Sequence, residues 1–168
     1  DLVCVREGVG VANGLDALTL ILMALKELHH WDDGDEVIVP AYTFIASAQA
    51  VNRAGLIPIF CDVKENDCLM DMEDASQRIT PKTRALLPVH LFGKYCDVSP
   101  IKKLLEAKNI LIVEDAAQAH GASKDGIIAG TQGVGAAFSF YPGKNLGALG
   151  DGGAVVTNSQ SLAALVRV

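Results

Sequence analysis

The sequence of 168 residues has no hydrophobic run approaching the roughly 18 residues that cross a bilayer, so no stretch of it reads as a membrane-spanning helix. It has no surplus of basic residues. Fourteen Lys and Arg stand against twenty Asp and Glu, giving a formal charge of −6 and an isoelectric point near 5.1. A nucleic-acid partner needs a basic surface, and none is supplied. The four cysteines, Cys4, Cys61, Cys68 and Cys96, form no C-x-x-C pair and no disulfide framework. They read as reduced, mostly buried thiols of a cytosolic protein, with Cys61 and Cys96 packed inside. There is no low-complexity tract, no repeat period and no internal linker. Charged residues make up only 20% of the chain and apolar ones 50%, with a mean hydropathy of +0.29, which excludes disorder. What remains is one domain with a real core. Residue 1 is Asp rather than an initiator Met, no signal-like leader follows, and residues 161–168 read as an amphipathic helix without a stop signal. The expectation is an excerpt of a longer polypeptide.

Short apolar runs alternate with helical periodicity. Strands are expected at Glu36–Val39, Ile57–Cys61, Arg84–Val89, Ile110–Val113, Ala136–Phe140 and Ala154–Thr157, and helices at Leu15–Leu28, Thr43–Ala54, Met72–Ile79 and Val98–Ala107. Continuously apolar strands such as Val37-Ile38-Val39 suit a parallel sheet covered on both faces, and the alternation predicts an α/β fold with helices on either side. The first helix carries Leu15, Leu18, Leu20, Ile21, Leu22, Met23, Leu25 and Leu28 and leaves little polar face. It should lie against a sheet on one side and need a second cover on the other: another domain, another subunit or a segment outside this stretch.

Gly8-Val9-Gly10-Val11-Ala12-Asn13-Gly14 precedes that helix. A dinucleotide fingerprint would need glycine where Asn13 stands, and its ribose-binding acid would be Asp32 or Asp33, in a loop rather than on a strand. The alternatives are a glycine turn that merely starts a helix, or a site for one phosphate. In the latter, Asn13 caps the helix, Gly14 lets an anion approach, and free N–H groups around Leu15 and Asp16 face it. Asp115 falls just past a buried strand, where ligands of open parallel sheets collect, although an N-cap is the ordinary role of Asp at such a junction. Phe138-Ser139-Phe140-Tyr141-Pro142-Gly143-Lys144 then presents one lysine among aromatic, Pro and Gly neighbours. Gly147, Gly150, Gly152 and Gly153 follow, marking unusual dihedrals or close approach. These parts share one use. A lysine in a low-dielectric pocket can form a Schiff base with an aldehyde, a carboxylate can hold a pyridine nitrogen protonated, and a helix start with a serine can hold a phosphate. Pyridoxal 5′-phosphate (PLP) displays all three groups.

The order Asn13-Gly14-Leu15-Asp16-Ala17-Leu18, Asp35 to Phe44, Pro88 to Gly93, Glu114 to Gly121, then Phe138 to Leu146 resembles the DegT/DnrJ/StrS-type sugar-nucleotide aminotransferases. The likeness runs from about Gly8 to Val168. It implies the three-layer αβα, mostly parallel sheet of the fold-type I PLP scaffold, with residues 1–168 forming an incomplete large PLP-binding domain that lacks an N-terminal segment and a smaller C-terminal domain. By position it implies that Lys144 forms the Schiff base, Asp115 pairs with the pyridinium nitrogen and Gln118 reaches the ring's 3′ oxygen. Phe44 would stack on the cofactor face, with Gly14, Leu15 and Ser139 on the phosphate. Leu15 replaces the commoner Thr, so only its backbone N–H can donate. Relatives that are dehydratases carry His at the Schiff-base position, and Lys144 points away from them. Asp151 stands where many relatives have Glu. With Asn13 to Asp16 it looks most like the branch that aminates C3 of dTDP-linked 3-keto-deoxyhexoses. The implied partners are a keto sugar nucleotide, an amino-acid donor such as glutamate, and a second copy forming a cytoplasmic homodimer. A non-catalytic PLP-fold protein or inactive fragment, and less so a dinucleotide-dependent oxidoreductase, are the alternatives. His29 and His30, adjacent on a helix, cannot both face one metal, and no metal site is expected. His90 and His120 could line the pocket or serve as hydrogen-bonded structural residues.

Overall fold

The computed structural model describes residues 3–168. In chain order it contains β1 (Glu7–Val11), α1 (Gly14–His29), β2 (Glu36–Pro40), α2 (Ala46–Arg53), β3 (Ile57–Cys61), α3 (Met72–Gln77) and β4 (Thr83–Leu86). Then come α4 (Lys102–Ala107), β5 (Leu111–Asp115), a small hairpin of β6 (Ser123–Lys124) and β7 (Ile127–Ile128), β8 (Gly135–Ser139), β9 (Gly153–Thr157) and α5 (Gln160–Val166). One seven-stranded sheet runs in the order β1-β9-β8-β5-β4-β2-β3. The pairs from β8 through β3 are parallel, while β9 runs antiparallel to both β8 and β1. The reversal at β9 has a direct cause: the stretch from Phe140 to Gly152 contains no helix and cannot return the chain for a parallel crossover. Flanking helices make the fold the three-layer αβα type expected from the alternation.

Val37, Ile38, Val39 and Val113 are fully buried, as apolar runs of a sheet covered on both faces must be. Asn13 caps α1 by accepting from the Asp16 amide, and the helix sends Ala17, Leu18, Ile21, Leu22 and Leu25 into the core. Its second cover comes from this chain itself: α1 lies on β8 and β9 and is flanked by α2 and α5, with Met23 left outside. Met72 and Ala75 of α3 and Leu105 of α4 are buried in the same core.

Several boundaries differ from the sequence reading. β1 was not expected. Gly8 and Gly10 sit in that strand, opposite Val156 and Ala154, rather than in a phosphate loop. The helix expected from Thr43 begins at Ala46, after an irregular Ala41–Ile45 segment. The one expected from Val98 opens as a 3-10 turn at Ser99–Ile101, where Pro100 supplies no amide to a preceding turn. Cys4 is exposed and Cys68 partly so, against the expectation of burial, while Cys61 and Cys96 are inside. Among the described residues no helix is long and apolar enough to cross a membrane.

The carboxyl ends of β1, β2, β5 and β8 and the amino end of β9 all reach one edge of the sheet. In open α/β sheets that edge is where ligands bind.

Candidate active site

A cleft of about 480 Å³ opens at this edge, lined by residues from all five segments: Gly14 and Leu15, Phe44, Asp115, Ser139 and Lys144 among them. Six of the seven residues singled out from the sequence therefore face one cavity. Asn13 and Asp151, met in the sequence as a helix cap and a branch marker, also line it, and so do Gln49 and Tyr141, to which the sequence reading assigned no role. Gln49 belongs to α2, whose apolar spacing gave no hint that its polar face borders a cleft.

The anion end is built by close approach. A β-carbon on Gly14 would lie 2.8 Å from the β-carbon of Ser139, so only glycine lets the start of α1 touch the end of β8. The Asn13 side chain occupies the Asp16 amide at 2.8 Å, which corrects the expectation that Asp16 offers a free donor. Among the described residues the amides of Gly14 and Leu15 have no acceptor, and they are the unpaired donors at the positive end of the helix. Ser139 Oγ accepts from the Tyr141 amide at 3.3 Å and keeps its proton for a ligand.

Asp115 ends β5 and is buried. Its Oδ2 accepts from Ser47 Oγ at 2.8 Å and its Oδ1 from the Ala117 amide at 3.1 Å. Its backbone is clamped to the segment after β4, donating to the Pro88 carbonyl at 3.0 Å and accepting from the His90 amide at 3.0 Å. Every side-chain neighbour is a donor, the arrangement that suits an acceptor-only carboxylate.

Lys144 sits in the loop after β8, half-buried, with its amide on the Tyr141 carbonyl at 2.8 Å and no carboxylate bonded to its ammonium among the described residues. The glycines that follow serve close approach, not special dihedrals. A β-carbon on Gly147 would fall 2.4 Å from the Pro142 carbonyl oxygen, and one on Gly153 would fall 2.4 Å from the Asn13 carbonyl carbon. Gly150 has open space around it and nothing in the structure explains it.

Gln118 stands apart from the other six. It lines an adjoining hollow of about 270 Å³ with Phe92, Gly143, Lys144 and Asn145. Its Oε1 accepts from the Phe92 amide at 2.7 Å, steadying a non-glycine residue held at φ 57, and among the described residues its amide nitrogen has no acceptor. Lys144 borders both hollows.

Neither histidine lines the cleft. His90 is fully buried; its Nδ1 accepts from the Cys96 amide at 2.9 Å, which leaves Nε2 as the donor to Glu114 Oε2 at 2.9 Å. Glu114 also accepts the amides of Gly130, Gln132 and Gly133, so this buried pair fixes the loop before β8 to the strand that carries Asp115. His120 packs against Phe138 and Phe140, with the Asn145 side chain and Ser139 backbone near its ring but no completed hydrogen bond. Burial, and secondarily the charge of Lys144, pull its pKa below the usual imidazole value. Among the described residues no group of His, Cys, Asp or Glu is placed to hold a metal ion. The dinucleotide alternative fails on geometry. Gly8 and Gly10 are strand residues, and Asp32 and Asp33 lie on another part of the surface, where Asp33 pairs with Lys26.

An anion cradle, a carboxylate, an amine and an aromatic ring around one cleft can hold a flat heterocycle that carries an aldehyde and an anionic arm. Comparison with known proteins points the same way. The sequence is 49% identical over 160 residues, 95% of this chain and 41% of the relative, to a dTDP-3-amino-3,4,6-trideoxy-alpha-D-glucose transaminase of Streptomyces venezuelae. The fold matches S. venezuelae DesV, solved in complex with a ketimine intermediate, with a TM-score of 0.90 and 48% identity over 97% of this chain and 43% of that one. It also matches an E. coli GDP-4-keto-6-deoxy-D-mannose-3-dehydratase with bound hydrated PLP, with a TM-score of 0.92 and 27% identity over 99% of this chain and 43% of that one. The chain thus spans about two fifths of the length of these relatives. The family model of the DegT/DnrJ/EryC1/StrS aminotransferases matches residues 1–168, and with the cleft at the sheet's carboxyl edge this places the chain in that family.

Proposed function

We propose that the protein is a PLP-dependent aminotransferase that moves an amino group from an amino acid, glutamate by the family resemblance, to a keto sugar nucleotide. The relative at 49% identity favours C3 of a dTDP-linked 3-keto-deoxyhexose as the acceptor position. The observation that carries this reading is that Lys144, Asp115 and the Gly14–Ser139 contact border one cleft. The residues fit the cofactor: a cradle that a β-carbon on Gly14 would fill, two unpaired helix amides and a buried carboxylate surrounded by donors.

When bound, PLP supplies an aldehyde that captures amines and a protonated ring that stores the electron pair released beside them. The Gly14 and Leu15 amides and Ser139 Oγ bind the phosphate. Asp115 holds the proton on the ring nitrogen, Phe44 covers a ring face, and the free amide nitrogen of Gln118 donates to the ring oxygen. Lys144 is the amine that anchors the aldehyde carbon. The same amine would serve as general base and acid, taking a proton from the donor's Cα and returning it.

The sequence reads as part of the large PLP-binding domain, and it spans about two fifths of the length of its relatives. Tyr42, Phe44, Ile45 and Tyr141 around the cleft are each more than half exposed, an apolar rim that supports a second copy completing the site as a homodimer. Four free cysteines favour a cytoplasmic setting. Borohydride reduction of the intact protein with PLP, followed by peptide mass spectrometry, tests the site. The adduct is expected on Lys144 and absent in Lys144→Ala; an adduct elsewhere, or an unchanged chromophore in the variant, overturns the assignment. Products from a panel of keto sugar nucleotides with glutamate then test the substrate class, and amination of none refutes it.

A further inference from the structure

Ser47 has appeared only as a hydrogen-bond partner of Asp115, and Thr43 has had no role, yet the two stand in line behind that carboxylate. Ser47 is fully buried in the first turn of α2, 68 residues from Asp115 in sequence. Its Oγ lies 2.8 Å from Asp115 Oδ2 and 3.0 Å from Thr43 Oγ1. A hydroxyl has one proton. An ionised carboxylate can only accept, so Ser47 donates its one proton to Asp115 and accepts from Thr43 through a lone pair of Oγ. The chain of donation therefore has one direction, Thr43 to Ser47 to Asp115. The Ser47 amide also reaches back to the Phe44 carbonyl at 3.2 Å, which closes the segment carrying the cleft's aromatic wall.

We propose that Thr43 and Ser47 form a positioning relay that holds the Asp115 carboxylate in place and turned toward the ring nitrogen of the cofactor. The inference rests on the PLP reading and deepens it. With Oδ2 taken by Ser47 and Oδ1 by Ala117, the carboxylate cannot rotate without losing a charge-assisted hydrogen bond, while the residue itself lines the cleft. Because Thr43 and Ser47 bracket Phe44, the wall that meets the ring face and the group that meets the ring nitrogen are tied to one short segment.

The test compares two ligands on the intact protein: PLP, and its deaza analogue with CH in place of the ring nitrogen. A relay acting through Asp115 matters only to the ligand that has the nitrogen. Ser47→Ala is expected to weaken PLP about tenfold, the loss of one hydrogen bond to a charged group, and to leave the deaza analogue within about twofold. Thr43→Val, nearly isosteric and outside the helix, should weaken PLP by a smaller factor, about threefold, and the double variant should be no worse than Ser47→Ala, since Thr43 acts only through Ser47. Equal weakening of both ligands would show a loosened wall and overturn the relay alone, as would full additivity or no effect in either single variant. If the unmodified protein binds neither ligand, the cofactor reading falls and takes this inference with it.

Discussion

Gly14 and Ser139, 125 positions apart in sequence, are in such close contact that a methyl group on the first would stand 2.8 Å from the β-carbon of the second. That contact brings two helix amides and a hydroxyl to one point. Gly14→Ala must push the helix start away from β8, since both partners are anchored by backbone. The expected loss is about 1–3 kcal/mol of stability, with a larger relative loss of affinity for PLP. Adding Ser139→Gly removes the obstructing β-carbon and should restore stability, measured by urea unfolding, while affinity stays low because the hydroxyl is gone. A Gly14→Ala protein with unchanged affinity would show that the phosphate sits elsewhere.

Glu114 predicts a second, purely structural failure. Its buried carboxylate receives donors from His90 and three backbone amides, at 2.8–2.9 Å. In Glu114→Gln one oxygen becomes an NH₂ that faces donors whichever way the amide is turned. Breaking a buried charged network of this kind costs about 3–5 kcal/mol, a large share of a domain's typical stability. Chemical denaturation should show that loss, and a nearly neutral result would mean the loop at residues 130–133 is held by other contacts.

How far the site was legible depended on how local each signal was. Lys144, Asp115 and Ser139 end or follow strands whose apolar runs are visible, so their place at the sheet's carboxyl edge follows from topology. Gln118 was read toward the cofactor, but its bond to the Phe92 amide comes from a turn 26 residues away that no local pattern announces. Glu114 drew no reading of its own because its partners lie 16 to 24 residues off in sequence. Ser47 resembled any small residue in a helix, and only the packing of α2 against the end of β5 gives it meaning. β1 was missed because Gly8 and Gly10 suppress strand propensity; its pairing with β9 supplies what its own residues lack.

Acid should reveal the pairing of Asp97. Burial pushes its carboxyl upward, but the hydrogen bonds from Lys124 and Ser99, with the lysine's charge, outweigh burial and bring its pKa down to about 2. A carboxyl depressed in the folded state stabilises fully above its unfolded value, about 3.9, and loses that contribution as pH falls through the folded value. The window is therefore about pH 4 down to about 2. With the side chain 30% exposed, solvent screening limits the contribution to about 1–2 kcal/mol at neutral pH. Asp97→Asn should be less stable than the unmodified protein by that amount at pH 7, with the two stability curves converging near pH 2. Parallel curves across the window would refute the pairing.

Thiol reactivity should separate the cysteines by burial. Burial, with the nearby negative charge of Asp74, pushes the Cys61 thiol up to about 12, and burial does the same for Cys96. Neither presents thiolate near neutral pH, and neither is accessible. Cys4 is exposed and Cys68 partly so. Iodoacetamide on the native protein should label Cys4 first and Cys68 more slowly, with Cys61 and Cys96 modified only after denaturant is added, as read by peptide mass spectrometry. Cys61 ends β3, one of the two edge strands of the sheet, and Cys96 follows the turn that His90 anchors. Labelling of Cys61 alone would thus report opening of that sheet edge, labelling of Cys96 alone would report release of the His90–Glu114 loop, and simultaneous labelling in denaturant is the outcome expected if the two open together as one core.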